Sequence, residues 1–204
     1  MAKRGRPRGF NREDALRRAM EVFWSLGYEG ATLAELQEAM GGITAPSFYA
    51  AFGSKEELFR EAVELYSSTL GLPMMKALDE QPAARASIQA LLDAAVEAFT
   101  KPGRPRGCML VLGAMNSAPE NKNVQDYLRG LRARRQKVIQ RRLRRGIAER
   151  DLASSVDAAA LASFITTVVD GLAIQARDGA SRKDLKFAVR CAMAAWGSVV
   201  ASAD

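Results

Sequence analysis

The segment 32–59 constrains the fold of this chain more strongly than any other stretch of its sequence. Thr32 and Glu35 form the T-x-x-E pattern of a capping box, in which side chains satisfy the free amide groups at a helix start. Ser54 and Glu57 repeat the pattern as S-x-x-E. Two helix starts so close together predict two short helices, followed by a third helix that begins at Ser54.

The residues between the two capping boxes predict how the short helices are joined. Gly41 and Gly42 end the first helix, and Thr44 caps the second. Pro46 is tolerated in a first helical turn because an N–H group would have no partner there. A short helix, a glycine turn and a second short helix form a helix-turn-helix, which places a helix in the major groove of DNA.

The charge of the chain is compatible with such a partner. Its 204 residues carry a formal net charge of +7, with a pI near 9.7. This favours a polyanionic partner such as nucleic acid or an acidic membrane surface. A merely basic surface explains the same numbers, so charge alone leaves both interpretations open.

The residue types that are scarce argue against an enzyme. The chain has no histidine, which removes the commonest general base and metal ligand, and it has two cysteines far apart. We therefore expect no catalytic site, no cofactor and no bound metal. Two cysteines suit a reducing cytosol, and we find neither an apolar N-terminal segment nor a run approaching a membrane span. These features predict a soluble cytoplasmic protein.

Residues 1–10 predict a flexible basic arm. Arg4, Arg6 and Arg8 alternate with Gly and Pro in a pattern that resembles an AT-hook, whose extended arginines enter narrow minor grooves. A solvated tail is the alternative. The same pentapeptide, GRPRG, recurs at 103–107, where a plain loop between helices is the favoured interpretation.

The first helix is predicted from Asn11, which caps it, to Leu26, with Gly27 ending it. The helix that begins at Ser54 is predicted to run to about Leu70, and Gly71 and Pro73 to mark a bend. The apolar stripe of the first helix is the predicted core of the DNA-binding unit, and it contains Leu16, Ala19, Met20, Phe23 and Leu26.

From residue 83 onward the pattern is helical throughout. Ser154 with Asp157 and Ser181 with Asp184 mark the last two helix starts. One predicted helix, 121–150, is rich in arginine, and a solvated face is favoured over a second nucleic-acid surface. The predicted helices lie near 84–100, 107–117, 121–150, 155–177 and 181–201.

The last two helices are apolar on more than one side and must be covered on more than one side. They are therefore predicted to form half of a four-helix bundle closed by a two-fold axis between subunits. Burial within one subunit is the alternative. The predicted interface contains Leu161, Phe164, Val168, Leu172, Val189, Met193 and Trp196.

The N-terminal motifs taken together resemble the TetR (tetracycline-repressor-like) family of bacterial transcription regulators. The commonest family turn has one glycine, whereas this chain has Gly41-Gly42. Farther along, Gly107-Cys108-Met109-Leu110 looks like a short helix found in one subgroup. The resemblance is carried by Thr32-Leu-Ala-Glu-Leu, Ala39-Met40, Thr44-Ala-Pro-Ser-Phe-Tyr49, Phe52 and Ser54-Lys-Glu-Glu-Leu58.

The resemblance implies a homodimer that binds a palindromic operator and releases it when a small molecule enters the C-terminal domain. It places Thr44, Ala45, Pro46 and Ser47 at the N-terminus of the recognition helix, in the major groove. Ser47 suits hydrogen bonding, and Ala45 and Pro46 suit a thymine methyl group. The positions that match phosphate contacts in the family are Thr32, Tyr49 and Lys55. For Tyr49, a packed aromatic is the alternative.

An effector pocket is expected among apolar residues of the C-terminal domain, although core packing is the favoured interpretation of any single one. For Cys108, a buried structural cysteine is favoured over a redox or electrophile sensor. The candidate pocket residues are Met74, Phe99, Met109, Met115, Phe164 and Trp196.

The sequence thus predicts an all-α protein with a three-helix helix-turn-helix domain at 11–59 and a helical ligand-binding and dimerisation domain at 60–204. The expected function is that of a sequence-specific DNA-binding regulator, most simply a repressor. The alternative is a non-specific architectural protein that binds DNA through its basic arm. An all-helical enzyme is disfavoured because the sequence lacks histidine and shows neither a metal-ligand cluster nor a phosphate-binding glycine loop.

Overall fold

The computed structural model describes residues 10–115 and 117–201, and this part of the chain is helical with no strand, as predicted. A π-helical turn at Ser67–Gly71 and a 3₁₀ turn at Pro119–Asn121 connect some of the helices. The α-helices are α1 (Arg12–Gly30), α2 (Leu33–Ala39), α3 (Ala45–Phe52), α4 (Lys55–Tyr66), α5 (Leu72–Asp79), α6 (Ala84–Phe99), α7 (Met109–Leu112), α8 (Lys122–Ala148), α9 (Ala158–Arg177), α10 (Arg182–Ala194) and α11 (Trp196–Ala201).

The predicted helix starts of the N-terminal unit are present. The Thr32 side chain accepts from the Glu35 N–H at 3.2 Å, and the Glu35 carboxylate accepts from the Thr32 N–H at 2.8 Å, which completes the capping box. At α4 only half of the predicted box forms. Ser54 Oγ accepts from the Glu57 N–H at 3.0 Å, whereas the Ser54 N–H donates to the carbonyl of Phe52.

An aromatic cluster forms the core of this unit. The ring of Phe59 on α4 meets Phe23 edge-on at a centroid distance of 5.0 Å and Tyr28 at 5.2 Å. Leu26, predicted to belong to this core, is instead exposed. The helical path of α1 is broken at Gly27, whose φ is +74°, and Tyr28 takes the next buried position.

The predicted bend after α4 is absent. Backbone angles at Gly71 remain helical, and the chain passes through the π-helical turn into α5, a helix that the sequence pattern did not predict. Pro73 has no N–H, and in an α-helix its ring clashes with the carbonyl four residues earlier. That residue, Thr69, lies within the wider π-helical turn, so the chain accommodates proline without leaving a helical course.

The C-terminal helices pack around one another, with α6 central among them. Their bounds correct three sequence predictions, the first being the helix predicted near 107–117, which is present only as the short α7 (Met109–Leu112). Asp157, rather than Ser154, caps α9, because its carboxylate accepts from the N–H groups of Ala159 and Ala160. The last predicted helix is interrupted at Ala195, which separates α10 from α11. The Ser181–Asp184 capping box at the start of α10 is present as predicted.

Helix α9 differs from the expectation that no run approaches a membrane span. Judged by length and composition alone, it is the one described helix that could cross a membrane. Core helices of soluble proteins pass the same test. In the single chain, α9 packs against neighbouring helices through Ile165, Val169 and Ala173, and its opposite side is exposed.

Hydrogen bonds at the end of α1 fasten the N-terminal unit to the rest of the molecule. Trp24 Nε1 donates to the carbonyl of Gly107 at 3.2 Å, and the Tyr28 N–H donates to the carbonyl of Gly113 at 2.7 Å. Arg177 at the end of α9 donates to the Trp24 carbonyl at 3.1 Å. The 103–107 loop is therefore more than a spacer between two helices, because its last residue helps to join the domains.

Gly107 provides a test of this junction. Its φ is +83°, and a Cβ there would lie 2.7 Å from the carbonyl oxygen of Ala173, whereas Gly103, with φ +75°, faces open space. Both Gly→Ala changes impose a left-handed backbone costing about 1–2 kcal/mol. We expect Gly107→Ala to lower the free energy of unfolding by roughly 1–3 kcal/mol more than Gly103→Ala. Denaturant titration measures both, and equal changes would contradict the close approach.

Candidate DNA-binding surface and effector cavity

Helix α3 is anchored on one side and open on the other. Phe48 and Phe52 are buried and hold the helix against α1 and α4. The predicted groove-facing residues, Thr44, Ala45, Pro46 and Ser47, are exposed together with Tyr49, the predicted phosphate contact. The structure therefore gathers these residues on one solvent-facing surface of a helix.

The cap of α3 leaves a donor available at this surface. The Thr44 hydroxyl donates to Ser47 Oγ at 3.0 Å and accepts from the Ser47 N–H. Ser47 Oγ acts as an acceptor in this contact, so its own hydroxyl proton can be given to an acceptor outside the protein. Base edges and phosphates both present such acceptors.

Tyr49 touches the core without being enclosed by it. Its ring meets Phe48 edge-on at a centroid distance of 5.3 Å, but the residue is 52% exposed. A packed aromatic would have its hydroxyl covered or paired inside the protein. The exposure of Tyr49 favours the phosphate-contact interpretation over the packed one.

The other two candidate phosphate contacts are partly engaged within the protein. Both Thr32 donors, its N–H and its hydroxyl, point to the Glu35 carboxylate, and these bonds hold the pKa of Glu35 below its usual value. The Lys55 ammonium lies 4.5 Å from the centre of the Tyr28 ring. Partial burial lowers the pKa of Lys55, and the carboxylates of Glu29 and Glu35 oppose that shift.

The two-glycine turn between α2 and α3 has a defined conformation. Gly41 and Gly42 have φ values of +96° and +73°, and a Cβ at either would meet no atom within 4 Å. Glycine is therefore favoured at both positions because the backbone is left-handed there, and not because space for a side chain is lacking. The N–H groups of Gly42 and Ile43 both donate to the carbonyl of Gln37, so the second glycine helps to close the end of α2.

The predicted minor-groove arginines, Arg4, Arg6 and Arg8, lie outside the described residues. The first described side chain, Phe10, contacts Phe52 at a ring centroid distance of 6.5 Å. Phe10 therefore lies beside the C-terminal end of α3.

Two neighbouring cavities lie on either side of the segment that links α4 to α5. One, of about 670 Å³, opens toward α1 and has charged side chains at its margin, among them Glu97, Lys101 and Arg182. The other, of about 250 Å³, is mostly apolar and lies between α5, α6 and α8. Tyr66, Leu70 and Met74 line both.

The structure places only some of the predicted pocket residues at these cavities. Met74 and Phe99 line the apolar one. Met109 and Trp196 are buried but line neither cavity, and Met115 and Phe164 are 53% and 38% exposed. Met115 follows the short helix α7 and Phe164 lies on the outer side of α9, so neither faces the interior.

Cys108 is buried, as the favoured interpretation predicts, and it lines the apolar cavity. Its neighbour Tyr66 is also buried, and this burial raises the pKa of the Tyr66 phenol well above its ordinary value. Tyr66 therefore remains a neutral hydroxyl at the cavity wall.

Two arginines of α8 depart from the predicted solvated face. Arg135 and Arg142 are 6% and 2% exposed. The residues at 128, 131, 135, 138 and 142 recur at helical spacing, so both arginines continue the apolar stripe of this helix. This spacing by itself indicates that both arginines are buried. The many other arginines of α8 made a solvated face the favoured interpretation instead.

The predicted dimer-interface set also divides in two. Val168 is half-buried, and Phe164 is exposed. Of this set, the residues of α9 and α10 that are buried against neighbouring helices of the same chain are Leu161, Leu172, Val189 and Met193. Trp196, the first residue of α11, is buried as well. The outer face of α9 and α10, which is free in the single chain, presents Phe164, Thr167, Gly171, Phe187, Cys191 and Ala194.

No group of three or more His, Cys, Asp or Glu side chains that could hold a metal ion occurs in the part of the chain that the structure describes.

A helix-turn-helix unit joined to a helical domain with open cavities between its helices is the architecture of a ligand-responsive transcription factor. The family profile described as "Bacterial regulatory proteins, tetR family" matches residues 15–62, and "Tetracyclin repressor-like, C-terminal domain" matches residues 82–192. The chain belongs to the TetR family. It is a DNA-binding transcriptional regulator and not an enzyme, which confirms the resemblance seen in the sequence.

Similar proteins align with nearly the whole length of this chain. The HTH-type transcriptional repressor ComR of Escherichia coli is 30% identical over 198 residues, which cover 97% of this chain and 94% of ComR. The repressor BdcR of the same organism is 31% identical over 193 residues, covering 94% and 89%. The structure of a cysteine mutant of CifR with 26-base-pair operator DNA has a TM-score of 0.90 at 48% identity, covering 94% of this chain and 100% of CifR.

Lys55 allows a direct test of the predicted DNA surface. If its ammonium neutralises a phosphate, Lys55→Gln should reduce the slope of log affinity against log salt by about 0.9. Lys137→Gln removes the same charge from an exposed position on α8 and serves as the control. Fluorescence anisotropy across a salt series measures the slope, and equal slopes for both variants would exclude Lys55 from the surface.

Proposed function

We propose that the protein is a homodimeric repressor that binds a palindromic operator and is released from it by a small-molecule effector. The observation that carries the proposal is α3, which is anchored by Phe48 and Phe52 while the predicted groove-facing residues 44–47 are exposed at its N-terminus. Of the similar proteins, ComR and BdcR are transcriptional repressors, and CifR is a transcriptional regulator seen in complex with operator DNA.

In this proposal, residues 44–47 enter the major groove. Ala45 and Pro46 are suited to contact with thymine methyl groups, and the free hydroxyl proton of Ser47 suits a base or phosphate acceptor. Thr32, Tyr49 and Lys55 hold phosphates and set the register of the complex. Arg4, Arg6 and Arg8 read the adjacent minor groove.

The outer face of α9 and α10 supplies the dimer contact. It combines two exposed aromatic rings, Phe164 and Phe187, with small residues such as Gly171 and Ala194 that permit close approach of helices. A two-fold axis would make one four-helix bundle from two chains. The dimer would then carry its two α3 helices to half-sites about 34–36 Å apart.

The effector acts through the helix that joins the two domains. Helix α4 packs on α1 through Phe59, and its last residue, Tyr66, lines both cavities. A ligand that fits one position of the α4–α5 segment better than another shifts the population of domain arrangements.

The proposed division places DNA binding in residues 11–59 and ligand binding with dimerisation in 60–204, although α4 crosses that boundary. The protein acts in the cytoplasm, where its operator lies.

Competition binding separates this function from that of an architectural protein. Sites selected from genomic DNA with the purified protein should outcompete random DNA of equal length by about a thousandfold or more at physiological salt. A non-specific binder that relies on its basic arm would show similar affinity for both. Equal affinities would therefore overturn the repressor proposal in favour of the architectural one.

The dimer contact is tested at Phe187, which is 60% exposed. Phe187→Glu places a charge where two apolar faces would meet, so we expect the chain to become monomeric in light scattering and to lose operator affinity. Lys183→Glu adds a carboxylate to an exposed position of the same helix and should remain dimeric. A dimeric Phe187→Glu protein would show that the interface lies elsewhere.

A further inference from the structure

Arg135 is a buried charge whose donors are mostly unused. Its side chain is 5% exposed, and its Nη2 pairs with the carboxylate of Asp170. Within the described residues, Nε and Nη1 have no hydrogen-bond partner, and neither atom is accessible to solvent. A buried donor without an acceptor costs free energy, so a native structure that retains such donors calls for a reason.

A positive charge remains unbalanced beside the apolar cavity. Asp170 on α9 is the carboxylate that acts on both Arg135 and Arg132. Arg132 uses its Nη1 to hold the carbonyl of Leu110 at 2.7 Å, and burial lowers its pKa against the attraction of Asp170. Two guanidinium groups therefore share one carboxylate. Arg134, exposed at the cavity margin, adds a further positive charge.

The remainder of the cavity favours an apolar body. Its volume is about 250 Å³, below the usual range for drug-sized ligands. Unbranched methionines at the wall can move to admit a ligand and to expose the guanidinium of Arg135. The apolar lining is provided by Leu70, Met74, Met75, Phe99, Leu131 and Val138.

We propose that this cavity binds a small apolar monocarboxylic acid and that its carboxylate accepts hydrogen bonds from the unused donors of Arg135. One negative charge matches the one guanidinium charge that Asp170 leaves uncompensated. The apolar chain or ring of the acid occupies the methionine-lined space. This inference rests on the proposed function, because it assigns the chemical class of the effector that the C-terminal domain recognises.

The position of Arg135 explains how such an acid would be sensed. A carboxylate on the unused donors of Arg135 lies beside its ion pair with Asp170, which belongs to α9, the helix that carries Phe164 on its outer face. The same acid contacts Leu70 and Gly71 in the π-helical turn after α4. Binding thus affects the helix that reaches the DNA-binding unit and the helix proposed to form the dimer.

Matched ligands test the inference on the unaltered protein. Octanoate and 4-tert-butylbenzoate are titrated calorimetrically into the full-length protein without DNA, alongside the neutral octanamide and 4-tert-butylbenzamide. A charged hydrogen bond to Arg135 should make at least one acid bind about ten- to a hundredfold more tightly than its amide. Equal affinities within each pair, or no binding by either acid, would overturn the proposal.

Variants then locate the preference. Arg135→Gln should abolish the difference between acid and amide while keeping the amide affinity, whereas Arg134→Gln should leave the preference largely intact. Arg135→Lys retains a charge, and it should preserve part of the preference even if the glutamine variant fails to fold. A preference that survives in every folded Arg135 variant would place the carboxylate elsewhere and refute the assignment.

Operator binding without any ligand is measured in parallel, so that the two proposals fail separately. Specific operator binding together with indifference to carboxylates would leave the repressor proposal standing and remove only the ligand class. Carboxylate binding that leaves the operator complex unchanged would confirm the site and exclude its role as the effector site.

Discussion

The arrangement of the two domains depends on the left-handed backbone at Gly27. A Cβ there would lie 3.4 Å from the carbonyl oxygen of Gly113, and the next residue, Tyr28, donates its N–H to that same oxygen at 2.7 Å. The break also turns the Tyr28 ring into the aromatic cluster with Phe23 and Phe59. One local conformation therefore contributes both to the core of the N-terminal unit and to its junction with the C-terminal helices.

Helix α4 connects the wall of the cavity with the proposed DNA-binding surface. Its first turn carries Lys55, whose ammonium lies over the Tyr28 ring, and its last residue is Tyr66 at the cavity wall. The π-helical turn that follows replaces the regular hydrogen-bond pattern, which is the kind of local irregularity that functional sites often contain. A rigid helix ending in such a turn can transmit a small displacement, because packed interfaces switch between discrete arrangements more readily than they deform.

Features set by a few neighbouring residues could be predicted from the sequence, and features set by distant neighbours could not. The capping boxes at Thr32 and Ser181 depend on side chains three residues apart, and both are present. Two predictions were wrong: that Leu26 is buried, and that the chain bends where α5 begins. Both lie where the backbone is irregular, at Gly27 and in the π-helical turn before Pro73. The dimer-interface and pocket sets mixed inward and outward residues because periodicity identifies an apolar side without showing which helix covers it. Only the packing of α6, α8 and α9 settles that question.

The two buried arginines of α8 show why burial alone does not indicate a binding site. Arg142 donates to Ser87 Oγ at 2.8 Å and to the carbonyls of Pro82 and Gln81, and these bonds join the α5–α6 connection to α8. Only one of its nitrogens, Nη1, lacks a partner among the described residues. Arg135 lies two turns earlier on the same helix, yet no backbone carbonyl of the described residues reaches it, and two nitrogens lack partners beside an apolar cavity. An apolar residue at 135 would fill that space without the desolvation cost. The charge is therefore better explained by a ligand than by stability.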